Sequence, residues 1–478
     1  MRKGLLCSLA FALLWTGTSL AADHSFIKGP FNSGPEVTKQ CLECHKEAAA
    51  EVMKTTHWTW ETEQIIDGKK VKRGKKNVIN NFCIAVKTNE PRCTSCHAGY
   101  GWENDSFDFT DQTKVDCLVC HDTTGTYEKS PAGAGNPAGY TGNPKFDAKP
   151  VDLVKVAQNV GVVSRTNCLT CHANGGGGNN IKHGDIDTSL INPTKAVDFH
   201  MGTDSLNFSC QECHATEHHQ IPGSSLIVSP NNTKQVTCEQ CHDSAPHKKK
   251  NLNKHAETIA CQTCHIPTFA KVNATKMTWD WSQSGPQPKG KEVEKDEHGH
   301  AIYIDMKGRF TYAQNVVPEY RWYNGSAGAY ILGQVIDPSK TTQLNYPLGD
   351  INDKSAKIMP FKVERGKQIY DTDNKYFIVP KLFGKAEDDA YWANFKSKGA
   401  DTAWKAASVA GMKAVGLNFS GHFGFAPTES YWSINHMVAS ADQALRCNDC
   451  HAKNGRLDWN ALGYKGDPMK TPGAARNK

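Results

Sequence analysis

The motif Cys-x-x-Cys-His occurs eight times in this chain of 478 residues, and no other feature restricts its possible folds as strongly. The spacing is that of a c-type haem attachment site, in which the two cysteines form thioethers with the porphyrin and the histidine binds the iron. Zinc sites and disulfide frameworks do not place a histidine directly after every second cysteine. The sequence therefore predicts eight covalently bound haem c groups. Their cysteines and proximal histidines are Cys41, Cys44 and His45; Cys93, Cys96 and His97; Cys117, Cys120 and His121; Cys168, Cys171 and His172; Cys210, Cys213 and His214; Cys238, Cys241 and His242; Cys261, Cys264 and His265; and Cys447, Cys450 and His451.

The distribution of the motifs suggests how the chain is organised. Seven motifs lie within residues 23–270, where frequent glycine, proline and asparagine predict short helices and irregular loops wrapped around a chain of haems. Residues 271–345 are free of motifs, and their alternating aromatic residues predict a few antiparallel strands. Residues 346–478 are predicted to be helical, notably at 386–416, and to carry the eighth haem. The expected fold is thus mainly α and irregular, a multihaem cytochrome c with a small haem-free β insertion.

The first 22 residues are typical of a secretory signal peptide. Arg2 and Lys3 precede a short apolar stretch at 5–14, and small residues follow near the expected cleavage position. Later segments do not reach 18 apolar residues, so we expect no membrane span in the mature chain. Haem c is attached on the outer side of the bacterial inner membrane, so the sequence predicts a periplasmic protein.

Composition and charge limit the function classes. Only 38% of the residues are hydrophobic, but each porphyrin offers a flat apolar surface against which sparse side chains can pack. The formal charge is +6. Two positive charges leave with the signal peptide and each ferric haem adds about −1, so the holoprotein should carry about −4. A nucleic-acid partner is therefore not expected.

Haems that only transfer electrons need a second strong axial ligand, and histidine is the usual one. Of the histidines outside the motifs, we expect His24 to be free beside the cleavage site, and His298 and His300 to lie in a charged turn. The adjacent His218 and His219 should supply one ligand together. The distal candidates are then His57, His183, His200, His219, His247, His255, His422 and His436. This supply is just about enough for every haem, so counting does not reveal whether one iron is left open.

Several shorter runs accompany the eight motifs. They are Val-Asp-Leu-Val-Lys-Val-Ala-Gln at 151–158, four glycines at 175–178 followed by Lys-His-Gly-Asp at 182–185, Ala-Pro-His at 245–247, Asn-Lys-His at 253–255 and Cys-Gln-Thr-Cys-His-Ile-Pro at 261–267. With these runs the chain resembles the octahaem tetrathionate reductases, which are periplasmic multihaem enzymes, over essentially the whole mature length.

The resemblance implies that one haem has a lysine amine as its distal ligand and that the other seven have two histidines. The position that matches best in this sequence is Lys155, with Lys149 as second choice, and by resemblance the second haem, at His97, is the one concerned. The residues alone favour another role, because 152–163 reads as an amphipathic helix on which a lysine is normally solvated. If Lys155 is the ligand, Lys155→Ala should change the spectrum of one haem.

Cys83 is the one cysteine of the mature chain outside the motifs. It may be read as a small buried apolar residue. Alternatively, a free thiol beside a haem could attack a sulfur–sulfur bond, as thiolates do in exchange reactions. We therefore keep Cys83 with Lys155 as a candidate catalytic residue.

The resemblance implies reduction of tetrathionate to thiosulfate, with a small inorganic anion as substrate and a periplasmic or quinol-linked electron donor. Two alternatives stay open. Related multihaem enzymes reduce nitrite or hydroxylamine, or oxidise hydroxylamine, although the Cys-x-x-Cys-Lys motif typical of cytochrome c nitrite reductase is absent from this sequence. The other alternative is a non-catalytic electron carrier with eight bis-histidine haems, which would not need the long haem-free section.

Overall fold

The computed structural model describes residues 23–227, 235–286, 293–471 and Arg476. The predicted signal peptide at 1–22 lies outside these residues. None of the helices within these residues has the length and apolar character needed to cross a membrane.

The helices are short, and four of them end at a motif histidine. A helical turn brings residues i, i+3 and i+4 to one face, so the helical motifs present both thiols and the imidazole on the same side. The helices in the described residues are α1 Gly34–Cys44, α2 Ala48–Val52, α3 Thr56–Thr59, α4 Glu90–Cys93, α5 Leu118–His121, α6 Leu153–Gln158, α7 Arg165–His172, α8 Lys250–His255, α9 Cys261–His265, α10 Tyr391–Lys398, α11 Ala400–Ala414 and α12 Cys447–His451.

The strands form a two-stranded hairpin and a nine-stranded sheet. Their bounds are β1 Thr62–Ile66, β2 Lys69–Arg73, β3 Thr275–Asp280, β4 Tyr303–Ile304, β5 Gly308–Ala313, β6 Glu319–Tyr323, β7 Ala327–Ala329, β8 Thr342–Pro347, β9 Lys357–Asp371, β10 Tyr376–Phe377 and β11 Phe423–Ser433. The large sheet runs in the order β4-β5-β3-β9-β11-β8-β7, and β6 and β10 also pair with β9. Most pairs are antiparallel, but β3 with β9 and β8 with β11 are parallel.

The sheet is larger than the sequence predicted. Strands β9, β10 and β11 come from the region beyond residue 345 that was expected to be helical, so the prediction of a small β insertion ending at 345 is wrong. The reason lies in β9, where Lys362, Glu364 and Gln368 are completely buried. Buried polar residues hide the alternation of apolar and polar positions by which a strand is normally recognised.

The predicted helical stretch at 386–416 is confirmed as α10 and α11, which are separated by Gly399 with a φ of 81°. A glycine adopts this left-handed conformation without the steric cost of a side chain. The two helices pack on the sheet, where Tyr391 and Trp404 stack with ring centroids 4.0 Å apart. The largest apolar core lies here, whereas the motif-rich region contains small separate clusters.

Candidate haem sites

Six of the motif histidines each face a second histidine at a nearly constant distance. The ring centroids are 6.1–6.4 Å apart. Two metal–nitrogen bonds of about 2 Å and the radii of two imidazole rings place centroids about 6 Å apart. The residues therefore fit an iron between each pair. The pairs are His45 with His24, His121 with His219, His214 with His436, His242 with His200, His265 with His247, and His451 with His255.

The fourth motif has two candidate partners. His172 lies 6.0 Å from His57 and 6.3 Å from His183, measured between ring centroids. An iron bound to His172 has room for one of them on its opposite side. Both remain candidates for the distal ligand of the fourth haem.

In several of these facing histidines, one of the two ring nitrogens is held by a hydrogen bond, as is usual for histidines that bind metals. The Nδ1 atom of His121 lies 2.9 Å from the carbonyl oxygen of Gly161, and that of His451 lies 2.6 Å from a carboxylate oxygen of Asp467. Such contacts fix the ring orientation and leave the other nitrogen for the iron. The same arrangement recurs between His214 and Pro222, His436 and Asp185, His219 and Glu51, His247 and Asn253, and His255 and Asn251.

The second motif is different. Within the described residues, the rings around His97 belong to tryptophan and phenylalanine rather than to a second histidine, with Trp102 nearest at 4.9 Å between centroids. His97 is completely buried, and burial lowers its pKa to about 3, so the ring is neutral. Its Nε2 lies 2.7 Å from the carbonyl oxygen of Trp58, and its Nδ1 has no hydrogen-bond partner. The nitrogen left for a metal is thus Nδ1, whereas in His121 and His451 it is Nε2. This neutral, carbonyl-held ring fits an iron ligand.

Cysteines of different motifs lie side by side, and these contacts order the motifs in space. Direct thiol contacts join Cys41 with Cys117, Cys96 with Cys171, Cys168 with Cys210, and Cys238 with Cys261. Electrostatic interactions join Cys120 with Cys168, Cys213 with Cys241, and Cys264 with Cys450. The motifs therefore follow one another as first, third, fourth, fifth, sixth, seventh and eighth, and the second branches from the fourth.

Comparisons with known proteins agree with this arrangement. The family model of bacterial cytochrome c matches residues 276–454, and that of cytochrome c554 and c-prime matches residues 40–122 and 191–243. The crystal structure of octaheme cytochrome c from Shewanella oneidensis is 52% identical in sequence, covers 96% of this chain and 100% of its own, and has a TM-score of 0.87. The chain is an octahaem cytochrome c. An uncharacterized protein from Archaeoglobus fulgidus is 24% identical over 233 residues, which cover 40% of this chain and 77% of that protein.

This octahaem cytochrome c binds eight haem c groups, as the motifs predict. Two histidines lie elsewhere than the sequence suggested. His24, expected to be free, faces His45 at 6.2 Å. His422, a predicted ligand, is 70% exposed and its Nδ1 lies 3.0 Å from a carboxylate oxygen of Asp373. The described contacts of His422 include no motif residue, so the structure does not support it as an iron ligand.

The structure also corrects the expected lysine. Lys155 is exposed on α6, and in the described part of the chain no contact joins its side chain to the second motif. A side chain exposed on the surface of α6 does not fit a buried iron ligand. Lys149 is exposed as well.

Three other lysines of the octahaem cytochrome c lie close to the second motif. Lys75 interacts electrostatically with His97, and its Nζ lies 3.7 Å from the centroid of the Trp60 ring; Lys129 and Lys182 are the other two. The Nζ of Lys129 donates to the carbonyl oxygens of His97 at 2.6 Å and Gly99 at 3.2 Å, and lies 2.9 Å from Asp116. The Lys129 nitrogen therefore already has three polar partners in the described structure, one of them a carboxylate.

Lys182 has a different environment. Burial and the positive charge of Lys75 lower its pKa to about 7, while the nearby Cys96 of the second motif opposes this shift. The described contacts of its Nζ are with the Trp432 ring, 4.9 Å to the centroid, and include no carboxylate. Burial therefore favours the neutral amine of Lys182, which is the form that can bind a metal. Sequence reasoning missed it, although it directly follows the glycine run and precedes a predicted ligand.

The glycine run packs closely against Phe82, next to Cys83, and against the Lys182 side chain. Gly176 has a φ of +82°, and a Cβ added there would lie 3.0 Å from the ring of Phe82. A Cβ added to Gly175 would lie 3.1 Å from the Lys182 side chain. Residues with side chains would push Lys182 and the segment around Cys83 apart.

Cys83 lies at the same place. It is partly buried, packs against the main apolar core, and interacts electrostatically with Cys93 of the second motif and with Lys276 of β3. The structure thus brings Cys83, Lys182 and the second motif together, and leaves Lys155 outside.

Proposed function

We propose that this octahaem cytochrome c is a periplasmic reductase of tetrathionate, with the second haem as its reaction centre. The observation that carries the proposal is the ligand arrangement. Seven motif histidines face another histidine, whereas the rings around His97 are those of tryptophan and phenylalanine, and a lysine of lowered pKa, Lys182, interacts with Cys96 of the same motif. When bound, the haems supply electrons, and the second iron supplies a coordination position for the substrate.

We propose the facing histidine pairs as the axial ligands of seven haems, and Lys182 as the distal ligand of the second. An amine is displaced more easily than an imidazole, since its free form gains a proton. Displaced Lys182 would become a cation beside the bound anion. Lys75 adds positive charge near this position, which favours a dianionic substrate.

Cys83 is proposed to take part in cleaving the central sulfur–sulfur bond. Its thiolate attacks one central sulfur, forming a Cys83–sulfur bond and releasing one thiosulfate. Two electrons then break the new bond, release the second thiosulfate and restore the thiolate. The reaction consumes two electrons per tetrathionate and no proton. A quinol-linked or small periplasmic donor would deliver the electrons, and the order of the motifs supports entry at either end of the chain.

Turnover with tetrathionate tests the proposal directly. We expect the purified holoprotein to oxidise reduced viologen rapidly when tetrathionate is added without oxygen. Absence of turnover, with all eight haems attached and reducible, would contradict the reductase and favour an electron carrier.

Replacement of the thiol separates sulfur from nitrogen chemistry. Cys83→Ser should lower the kcat for tetrathionate by about a hundredfold, because a hydroxyl does not exchange with sulfur–sulfur bonds. Hydroxylamine turnover should change much less. Equal losses with both substrates would argue that Cys83 shapes the pocket without reacting.

A further inference from the structure

One face of the large sheet lies against the segments that carry Cys83 and Lys182. Residues that alternate along a strand point to the same face. We call this set the polar sheet face; its members are Lys362, Glu364 and Gln368 of β9 and Thr428, Ser430 and Trp432 of β11. In the register of the two strands, Lys362 pairs with Trp432 and Glu364 with Ser430.

Hydrogen bonds fix the position of the polar sheet face. The Oδ1 of Asn81 accepts from Gln368 at 3.2 Å and from Thr428 at 2.6 Å, and its Nδ2 donates to the carbonyl oxygen of Glu364 at 2.8 Å. Lys362 donates to the carbonyl oxygens of residues 181 and 182 at 2.8 and 3.1 Å. The face is therefore joined to both segments beside the second motif.

Several polar atoms of this face are buried without a hydrogen-bond partner. They are both carboxylate oxygens of Glu364, the Oε1 of Gln368, the Oγ of Ser430 and the Nε1 of Trp432. Buried polar atoms nearly always have partners, and clusters of exceptions call for water or a polar ligand. The cluster lies next to Trp432, whose ring is in contact with Phe82 at 5.8 Å between centroids and with the Lys182 ammonium at 4.9 Å from the centroid.

The charges around Glu364 permit it to gain and lose a proton near neutral pH. Burial raises its pKa to about 7, against the opposing effect of Lys362 and Lys276. Burial also lowers the pKa of Lys276 to about 7 and that of Lys362 to about 8. Tyr312 of β5 is the further titratable group that interacts with Glu364.

We propose that Glu364 donates protons, through Ser430 and water, to substrates reduced at the second haem whose reduction consumes protons. This extends the proposed function, on which it rests, to small nitrogen oxides of the hydroxylamine and nitrite class. Reduction of hydroxylamine to ammonium breaks the N–O bond and consumes two electrons and three protons, with water as the second product. Tetrathionate reduction consumes no proton, so it does not need Glu364. The electrons come from the donor, and Glu364 regains its proton from solvent.

The test compares the two substrates in one variant. In Glu364→Gln, reduced viologen should be oxidised by hydroxylamine about a hundredfold more slowly, while the rate with tetrathionate stays within about twofold of wild type. Glu364→Asp keeps a carboxyl group and should recover most of the hydroxylamine rate. Glu429→Gln is the matched control, because Glu429 pairs with Arg365 and points to the opposite face of the sheet. It should leave both rates unchanged.

The pH profile of the wild-type protein gives a second readout. It tests the role of Glu364 even where the Glu364→Gln variant fails to assemble. The protonated donor is present below a pH of about 7 and is lost as the pH rises through this value. The hydroxylamine rate should therefore fall above pH 7 and the tetrathionate rate should not.

The outcomes distinguish the two proposals. Parallel pH profiles, an unchanged hydroxylamine rate in Glu364→Gln, or wild-type protein that reduces tetrathionate but not hydroxylamine would overturn the role of Glu364 and leave the proposed function standing. Wild-type protein that reduces neither would overturn both.

Discussion

Lys182→Ala is expected to change the spectrum of one haem in eight and to raise the KM for tetrathionate about thirtyfold. Under the proposed ligation, removal of the amine leaves the second iron without its distal ligand, so that this haem should become high-spin, while the seven haems with proposed bis-histidine ligands should stay low-spin. The displaced ammonium would otherwise form a charge-assisted hydrogen bond with the anion, worth about 2 kcal/mol, and this corresponds to about thirtyfold in affinity. Electron paramagnetic resonance and steady-state kinetics measure the two effects.

Lys155→Ala is the matched control for Lys182→Ala. The same atoms are removed, but from an exposed side chain of α6, so spectrum and KM should not change. A one-haem change in Lys155→Ala together with an unchanged Lys182→Ala would restore the ligand expected from the sequence. A change in neither variant would remove lysine ligation altogether.

Asp116→Ala should destabilise the folded protein by about 3–5 kcal/mol, since it leaves the buried Lys129 without its counter-ion. The side chains of Asp116 and Lys129 are 0% and 4% exposed. Asp116 also accepts hydrogen bonds from Tyr100 at 2.8 Å and Tyr127 at 2.9 Å. These groups would all lose a partner in a region that water does not reach. Because Asp116 directly precedes the third motif and Lys129 holds the His97 carbonyl, the loss should also loosen the second haem.

Guanidinium unfolding, followed at the haem bands, measures this destabilisation. Glu63→Ala is a suitable control, because Glu63 forms a 2.7 Å ion pair with Lys70 in which both side chains are largely exposed. Exposed ion pairs contribute little, so this variant should unfold like the wild type. Similar midpoints for Asp116→Ala and wild type would show that the buried pair does not stabilise the fold.

Much of the haem binding could be predicted from the sequence because it depends on local spacing. Cys-x-x-Cys-His forms one turn, so attachment and proximal ligation need no knowledge of the fold. The distal ligands are different. His436 meets His214 across more than 200 residues of chain, and His24 meets His45 near the start. Of the eight distal candidates predicted from sequence context, seven lie beside a motif histidine. His422 does not, and His24, which was expected to be free, does.

The β-sheet was underestimated for a related reason. Its central strand, β9, buries charged residues, and buried charges look like surface positions in a sequence. Their partners explain the burial: Lys362 donates to backbone carbonyls near the second motif, and Glu364 lies on the same face. One of the polar residues that obscured the strand, Glu364, is the residue that we propose as a proton donor for nitrogen substrates.

The sequence by itself determined the number of haems, their covalent attachment, one axial ligand of each, and the presence of a long motif-free section. Only the tertiary structure decided which histidines face each other, how the motifs follow one another in space, and that Lys182 rather than Lys155 lies beside the second motif. A haem motif carries its chemistry within five consecutive residues. The pKa of a lysine depends instead on how deeply the surrounding chain buries it and on the charges nearby, and residues distant in the sequence set both.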